Sequence, residues 1–112
     1  MPKSSQRAYS GYSQDAAILL GNLIRLGRIE RKLSAEQFAE RAGLSRGLVH
    51  RIEKGDLGCS IGAVFEAAAV AGVRLFDASP ATLKAEISSN AHVMTLLPQK
   101  VRASVKAVKD DF

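Results

Sequence analysis

The stretch from Leu33 to Gly55 constrains the fold most strongly, because it contains two short amphipathic helical patterns on either side of a tight turn. Ser34 is placed to cap the first pattern, which runs to Ala42. Gly43 follows, where a helix C-terminus favours a left-handed residue that costs little only without a Cβ. Ser45 is then placed to cap the second pattern, whose apolar residues recur at three- and four-residue spacing, namely Leu48, Val49 and Ile52. Two helices joined in this way cross closely and leave the polar face of the second one free.

This layout is that of a helix-turn-helix motif, in which the second helix is presented to the DNA major groove. The segment resembles the DNA-binding domain of XRE-type (phage-repressor-like) regulators, whose pattern is LSQxxLAxxxGLSxxxLxxIExG. The residues that fit this pattern are Leu33, Ser34, Ala39, Gly43, Leu44, Ser45, Ile52, Glu53 and Gly55. One departure is Ala35, since the family usually has at this position a glutamine that touches a phosphate. The alternative is a helical hairpin of some other bundle.

The resemblance also implies which residues contact DNA. In phage-repressor-like proteins the positions that match Arg46, Gly47 and Arg51 meet base edges, and arginine suits the two acceptors of guanine. His50 lies on the same helix and is a further candidate. Phosphates are expected at Ser45 and Lys54, helped by backbone N–H groups at helix starts. The predicted DNA-binding residues are therefore Ser45, Arg46, Gly47, His50, Arg51 and Lys54.

An ion pair between two helices is a second implication of the resemblance. In the family, an arginine at the position of Arg28 often pairs with the glutamate of the terminal Ile-Glu-x-Gly, which is Glu53 here. A fork-shaped guanidinium that meets a carboxylate across two helices fixes their crossing. The alternative is that both are solvated surface charges.

Length and charge limit the remaining possibilities. A chain of 112 residues has room for one domain with a small core, and a formal net charge of +5 indicates an anionic partner. No stretch approaches the ~20 apolar residues of a membrane span, and the N-terminus lacks the apolar run of a secretory signal. We therefore expect no membrane association and a cytoplasmic location.

The residue types that carry chemistry are sparse. Cys59 is the only cysteine, which excludes a disulfide framework within one chain, and we interpret it as a small apolar residue near a helix start. His92 has no partner at ligand spacing, so the sequence predicts no metal site and no other cofactor. A glycine-rich phosphate loop, a paired histidine and cysteine, and clustered carboxylates are all missing from the sequence. We predict no catalytic residues and no enzyme activity.

Caps and turns divide the chain into four segments. Residues 1–12 are predicted to be a flexible arm, residues 13–78 a helix-turn-helix DNA-binding and dimerisation domain, residues 79–97 an additional helix, and residues 98–112 a flexible tail. Within the domain, Ser13 is expected to cap a first long helix and Ser60 a later one. Ser79 is expected to cap the additional helix, with Pro80 at its first helical position. The first helix has a predicted buried stripe, which comprises Ala16, Leu19, Leu20, Leu23, Ile24 and Ile29. The predicted fold is all-α, a compact bundle of four to five helices with one short C-terminal strand.

That strand is the segment Val73–Asp77, where branched and aromatic residues alternate. A single strand cannot satisfy its own backbone donors and acceptors, so it needs a partner. Because the sequence offers no second convincing strand, we expect the same strand of a second copy to pair with it across a two-fold axis. The prediction is a homodimer that binds a two-fold DNA operator.

A wider resemblance concerns the biological role. The four-helix domain, the Ser-Ile-Gly at Ser60–Gly62 and the predicted strand are together similar to HipB-like antitoxins over roughly residues 16–77. This implies a transcriptional repressor of its own operon that is also the antitoxin of a type II toxin–antitoxin pair and binds a HipA-like serine/threonine kinase toxin. The alternative is a stand-alone XRE-type autorepressor without a toxin partner.

Overall fold

The computed structural model describes residues 8–103, which form five α-helices. Two compact units make up the chain, one that ends at Asp77 and one that begins at Ala78. The first unit contains four helices, and the second contains one. The helices are α1 (Gly11–Glu30), α2 (Ala35–Ala42), α3 (Arg46–Glu53), α4 (Ile61–Ala71) and α5 (Pro80–Thr95).

A serine caps the N-terminus of every one of these helices. In each case the hydroxyl oxygen accepts the backbone N–H three residues along, over 3.1 to 3.3 Å, and a cap of this kind stabilises a helix by about 1 kcal/mol. Four of the caps lie where the sequence predicts them, at Ser34, Ser45, Ser60 and Ser79. The cap of α1 is Ser10 rather than Ser13, because Ser10 accepts the N–H of Ser13 and the helix begins at Gly11. Residues 11 and 12 are therefore helical and not part of an arm, whereas residues 1–7 lie outside the described part of the chain.

Three glycines with positive φ end three of the four helices of the first unit, α2, α3 and α4, and share one hydrogen-bonding pattern. They are Gly43, Gly55 and Gly72, with φ of 71°, 82° and 81°. At each, the residue after the glycine donates its N–H to a carbonyl five residues back, as Leu44 does to Ala39 over 2.9 Å. The pattern brings those two residues side by side at the helix end.

The core of the first unit lies where the four helices meet. Phe38, Ile24 and Val49 are its largest fully buried side chains, and small residues of α4 complete it, namely Ala67, Ala68 and Ala71. Fully burying a side chain the size of the three large ones contributes about 1.5–3 kcal/mol. The helices are in close contact as well. A Cβ at Gly21 of α1 would lie 2.5 Å from the carbonyl oxygen of Ile52 on α3.

The predicted strand at Val73–Asp77 is wrong, since none of residues 8–103 forms a strand. Leu75–Asp77 forms a short 3-10 turn, in which Phe76 and Asp77 have positive φ. The N–H of Val73 is already used, because it donates to the carbonyl of Ala68 over 2.9 Å as part of the cap at Gly72. Val73 and Leu75 pack against the helical core, so their alternation reflects contact with helices rather than one face of a sheet.

The buried stripe of α1 is narrower than predicted. Ile24 is buried and Leu20 packs against the core, but Leu19 is 59% exposed, and Leu23 and Ile29 are 42% and 48% exposed. Ala16 is exposed too. The apolar pattern of α1 therefore covers more than the side that faces the core, and Leu19, Leu23 and Leu26 leave an apolar strip on its surface.

The second unit contains α5. It begins as predicted, with Ser79 as the cap and Pro80 at the first helical position, and it ends at Thr95, before Pro98. No side chain of α5 is buried, and His92 on this helix is exposed. Residues 98–103 are not helical, and the remainder of the predicted tail, residues 104–112, lies outside the described residues.

Candidate nucleic-acid interface

The helix-turn-helix unit consists of α2, the turn at Gly43 and α3. The start of α2 has a reciprocal cap, in which the Ser34 hydroxyl accepts the N–H of Gln37 and the Gln37 side chain accepts the N–H of Ser34. Leu44 follows the turn and packs against the core. These contacts define where α2 begins and where the chain reverses, and so they determine how α3 is presented.

A bidentate ion pair holds α3 against α1, as the sequence predicts. Arg28 donates from Nε to one carboxylate oxygen of Glu53 over 2.6 Å and from Nη2 to the other over 3.1 Å. The third nitrogen of the guanidinium donates to the carbonyl of Leu33 over 2.9 Å, just before α2. Only 12% of the Arg28 side chain and 8% of the Glu53 side chain are exposed. The hydrogen bond with Glu53 raises the pKa of Arg28. Through its three contacts, the Arg28 side chain connects α1 with α3 and with the residue that precedes the cap of α2.

A polar groove of about 800 Å³ opens along the outer side of this ion pair. Its residues come from α1, α3 and the start of α2, and they include four cationic side chains and a single carboxylate. That carboxylate belongs to Glu53, whose two oxygens are both taken by Arg28. The groove is therefore electropositive. It is lined by Asn22, Arg25, Arg28, Ala35, Arg46, Gly47, His50, Glu53 and Lys54.

Four of the six predicted DNA-binding residues line the groove together. Arg46, Gly47, His50 and Lys54 are all exposed on one side of α3. A Cβ at Gly47 would meet no atom within 4 Å, so the surface there is open. Ser45 is exposed at the start of α3, and its hydroxyl accepts the N–H of Leu48.

The sixth predicted residue, Arg51, is not among the residues that line the groove. Its Nε donates to Oδ2 of Asp56 over 2.8 Å, and Oδ1 of Asp56 accepts the N–H of Gly58 over 2.7 Å. Half of the Arg51 side chain is exposed, and 39% of the Asp56 side chain. The hydrogen bond between them raises the pKa of Arg51 and lowers that of Asp56. Arg51 is thus engaged with the loop after α3 in the free protein.

Sequence reasoning missed two residues of the groove, Asn22 and Arg25 on α1. Arg25 is 62% exposed, and its Nε lies 3.9 Å from Oε1 of Glu53. The signal was present in the spacing, because residues 22, 25 and 28 follow one another at intervals of three and lie on one side of a helix. Since Arg28 was expected to face Glu53, its two neighbours on that side should have been placed beside α3 as well.

The other chemically notable residues form no site. Cys59 directly precedes the cap of α4 and lines a largely apolar cleft of about 360 Å³, which agrees with its interpretation as a small apolar residue. Burial raises the pKa of its thiol. Among residues 8–103, no three acidic, histidine or cysteine side chains are grouped so that they could hold a metal ion. In the same range, no helix combines the length and the apolar character that crossing a membrane requires.

Comparison with known proteins agrees with the geometry. A search of the curated proteins found no match to this chain. A family model described as a helix-turn-helix domain matches residues 19–81, which include the second half of α1, all of α2 to α4 and the start of α5. This match covers more than half of the 112 residues. The chain therefore belongs to the helix-turn-helix domain family, a DNA-binding regulatory fold.

Proposed function

We propose that the protein is a sequence-specific DNA-binding transcriptional repressor that reads the major groove with α3. The observation that carries this proposal is the electropositive groove, where the exposed side of α3 presents Arg46, His50 and Lys54 together. Base edges in the major groove and the phosphates beside them are what such a set of donors recognises. The Arg28–Glu53 ion pair supports this role, since it gives α3 a fixed orientation toward the duplex.

The residues divide into two roles. Arg46 in the first turn of α3 and His50 one turn later read base edges, with Arg46 aimed at guanine. Gly47 between them permits close approach of the backbone, and Ser45 and Lys54 hold phosphates. Arg51 also reads a base, after it exchanges Asp56 for the duplex. Because the Arg51–Asp56 ion pair is exposed, it contributes little to the free energy of folding, and breaking it costs little free energy.

The test is a binding selection from a random-sequence duplex library at a stated salt concentration, followed by binding measurements on the selected sites. We expect Arg46→Ala to weaken binding to the selected site by roughly 1–3 kcal/mol and to relax preference at one base pair. Lys54→Ala should weaken binding to all sequences about equally. A library that yields no sequence bound more tightly than the starting pool would contradict the proposal.

The protein acts as a homodimer on a two-fold operator, with half-sites about 10 base pairs apart or a multiple of that distance. The strand that first suggested dimerisation does not form, and another surface supports the dimer instead. Leu19, Leu23 and Leu26 are exposed on α1 at spacings of four and three residues, as in the seam between paired helices. Light scattering at micromolar concentration tests this, because a monomer with the mass of one chain would contradict it.

Beyond repression, the protein acts as an antitoxin that binds a HipA-like kinase. The support for this role is the sequence resemblance over roughly residues 16–77, including Ser60–Gly62 before and in the first turn of α4. Co-expression with a kinase encoded beside the gene tests it. Co-purification of the two proteins would support the antitoxin role, and a repressor that regulates its own promoter and binds no such kinase would be the stand-alone autorepressor.

A further inference from the structure

The surface of α1 beside the recognition helix contains a cationic side chain that the protein's own contacts leave almost unused. Arg25 is 62% exposed, although it lines the same groove as Arg46, His50 and Lys54. Within residues 8–103, its guanidinium approaches only Glu53, at 3.9 Å from Nε to Oε1, which is too long for a hydrogen bond. Its donors therefore remain available for another partner.

A structural role as a second partner of Glu53 does not explain Arg25. Both carboxylate oxygens of Glu53 already accept short hydrogen bonds from Arg28, at 2.6 Å and 3.1 Å. Arg28 is 12% exposed and thus sits on the floor of the groove, whereas Arg25 extends into solvent. Because Arg28 neutralises the only carboxylate of the groove, the charge of Arg25 is not cancelled there.

Asn22 lies one turn before Arg25 on the same side of α1 and is also exposed. Its amide offers two further N–H donors, and the guanidinium of Arg25 offers a planar fork that suits phosphate oxygens. The residue pair combines one charged and one neutral donor at the rim of the groove that α3 presents to DNA. Such a combination is typical of contacts that position a protein on the duplex without reading its sequence.

We propose that Arg25 and Asn22 form a DNA phosphate-binding subsite on α1, so that α1 is part of the DNA interface as well as of the core. This inference rests on the proposed DNA-binding function. The subsite contacts the backbone of the strand that passes along α1 while α3 lies in the major groove. It contributes affinity and register, and it does not select bases.

The test compares charge-matched variants on random-sequence duplex DNA of about 30 base pairs, by fluorescence anisotropy between about 50 and 200 mM NaCl. Arg25→Ala should weaken binding about three- to tenfold at the lower salt, and the slope of log affinity against log salt should become shallower by about 0.9, as expected for one lost phosphate contact. Arg25→Lys should keep most of the slope. Arg74→Ala removes the same charge from an exposed position outside the groove and should change neither quantity.

Asn22 is tested by introducing a negative charge. Asn22→Asp should weaken binding by more than tenfold, because a carboxylate would face the phosphate. Asn90→Asp makes the same change at an exposed position of α5 and serves as the control. Circular dichroism melts of all variants confirm that they are folded.

The outcomes separate this inference from the proposed function. If the wild-type protein binds DNA with a steep salt dependence, but the salt slope of Arg25→Ala equals that of Arg74→Ala, the α1 subsite is overturned and the proposed function stands. If the wild-type protein shows no salt-dependent DNA binding, both are overturned. A shallower slope for Arg25→Ala alone supports the subsite.

Discussion

The two edges of α3 each contain an arginine–carboxylate ion pair, and the pairs differ in burial. On the inner edge, Arg28 and Glu53 are 12% and 8% exposed, and a second hydrogen bond makes their contact bidentate. On the outer edge, Arg51 and Asp56 are 50% and 39% exposed and share one hydrogen bond. The same chemical groups therefore have two functions. The inner pair holds α3 in place, and the outer pair holds an arginine that is exposed enough to exchange its carboxylate for another partner.

The two pairs also differ in how the chain brings them together. Arg28 and Glu53 lie on separate helices and meet only when α1 and α3 pack, with Gly21 allowing the close approach. Arg51 and Asp56 meet through a local turn, since the N–H of Asp56 donates to the carbonyl of Arg51 over 3.0 Å after Gly55. At the equivalent turns after Gly43 and Gly72, apolar residues occupy these two places. An ion pair at the third turn leaves the end of α3 polar.

Loss of the inner pair should have the largest effect. Glu53→Gln leaves the guanidinium of Arg28 without a carboxylate in a site that is only 12% exposed, and we expect a loss of about 3 kcal/mol in the free energy of unfolding. The melting temperature should fall by more than about 10 °C. Glu66→Gln, the same change at an exposed position on α4, is the control. A melting temperature within about 2 °C of wild type would show that the inner pair behaves like a surface pair.

A mutation that forces α1 and α3 apart should have the second-largest effect. In Gly21→Ala the new methyl group would lie 2.5 Å from the carbonyl oxygen of Ile52, so the two helices must separate. We expect a loss of about 1–3 kcal/mol, measured by urea denaturation. Gly62→Ala provides the matched control, because a Cβ there meets nothing within 4 Å and alanine favours a helix. Equal stability of the two variants would refute close packing at Gly21.

The ion pair of the inner edge was predicted from the sequence, and the ion pair of the outer edge was not. The positions of Arg28 and Glu53 follow from the resemblance to phage-repressor-like regulators, and the serine caps follow from local chemistry. For Arg51, the resemblance supplied a base-reading role, but it said nothing about Asp56, which lies beyond the motif. The turn at Gly55 would have indicated the contact, since a left-handed glycine brings the residues on its two sides together.

The predictions of a strand at Val73–Asp77 and of a wide buried stripe on α1 were both wrong, because an apolar pattern does not show what the apolar side chains contact. Alternation in Val73–Asp77 is compatible with a strand, yet the preceding Gly72 forms a helix cap that uses the N–H of Val73. Apolar residues at helical spacing indicate an apolar face, but they do not indicate whether that face meets the core of the same chain. Leu19 and Leu23 fit the spacing and are exposed.

Releasing Arg51 should have a moderate effect on binding and almost none on folding. Asp56→Asn removes the carboxylate that Arg51 contacts, and we expect affinity for the selected duplex to increase about two- to fivefold, because the arginine no longer has to leave a carboxylate before it contacts a base. The melting temperature should change by less than about 2 °C. Asp77→Asn removes an equal charge elsewhere on the surface and measures the general electrostatic gain. If both variants gain the same affinity, Arg51 is not restrained by Asp56.

The smallest expected effect is the acid titration of the outer pair. The hydrogen bond from Arg51 lowers the pKa of Asp56, so the folded protein binds that proton less tightly than the unfolded chain. The contribution of the pair to stability is therefore complete above the unfolded pKa of about 3.9, and it is lost as the pH falls through the lower folded value. Carboxyl NMR should give a pKa below the ordinary range for Asp56 and one closer to that range in Arg51→Gln, where the N–H of Gly58 still donates to the carboxylate. If Arg51→Gln leaves the Asp56 titration unchanged, the N–H of Gly58, rather than the arginine, holds the carboxylate ionised, and the outer edge of α3 is a capped turn instead of an ion pair.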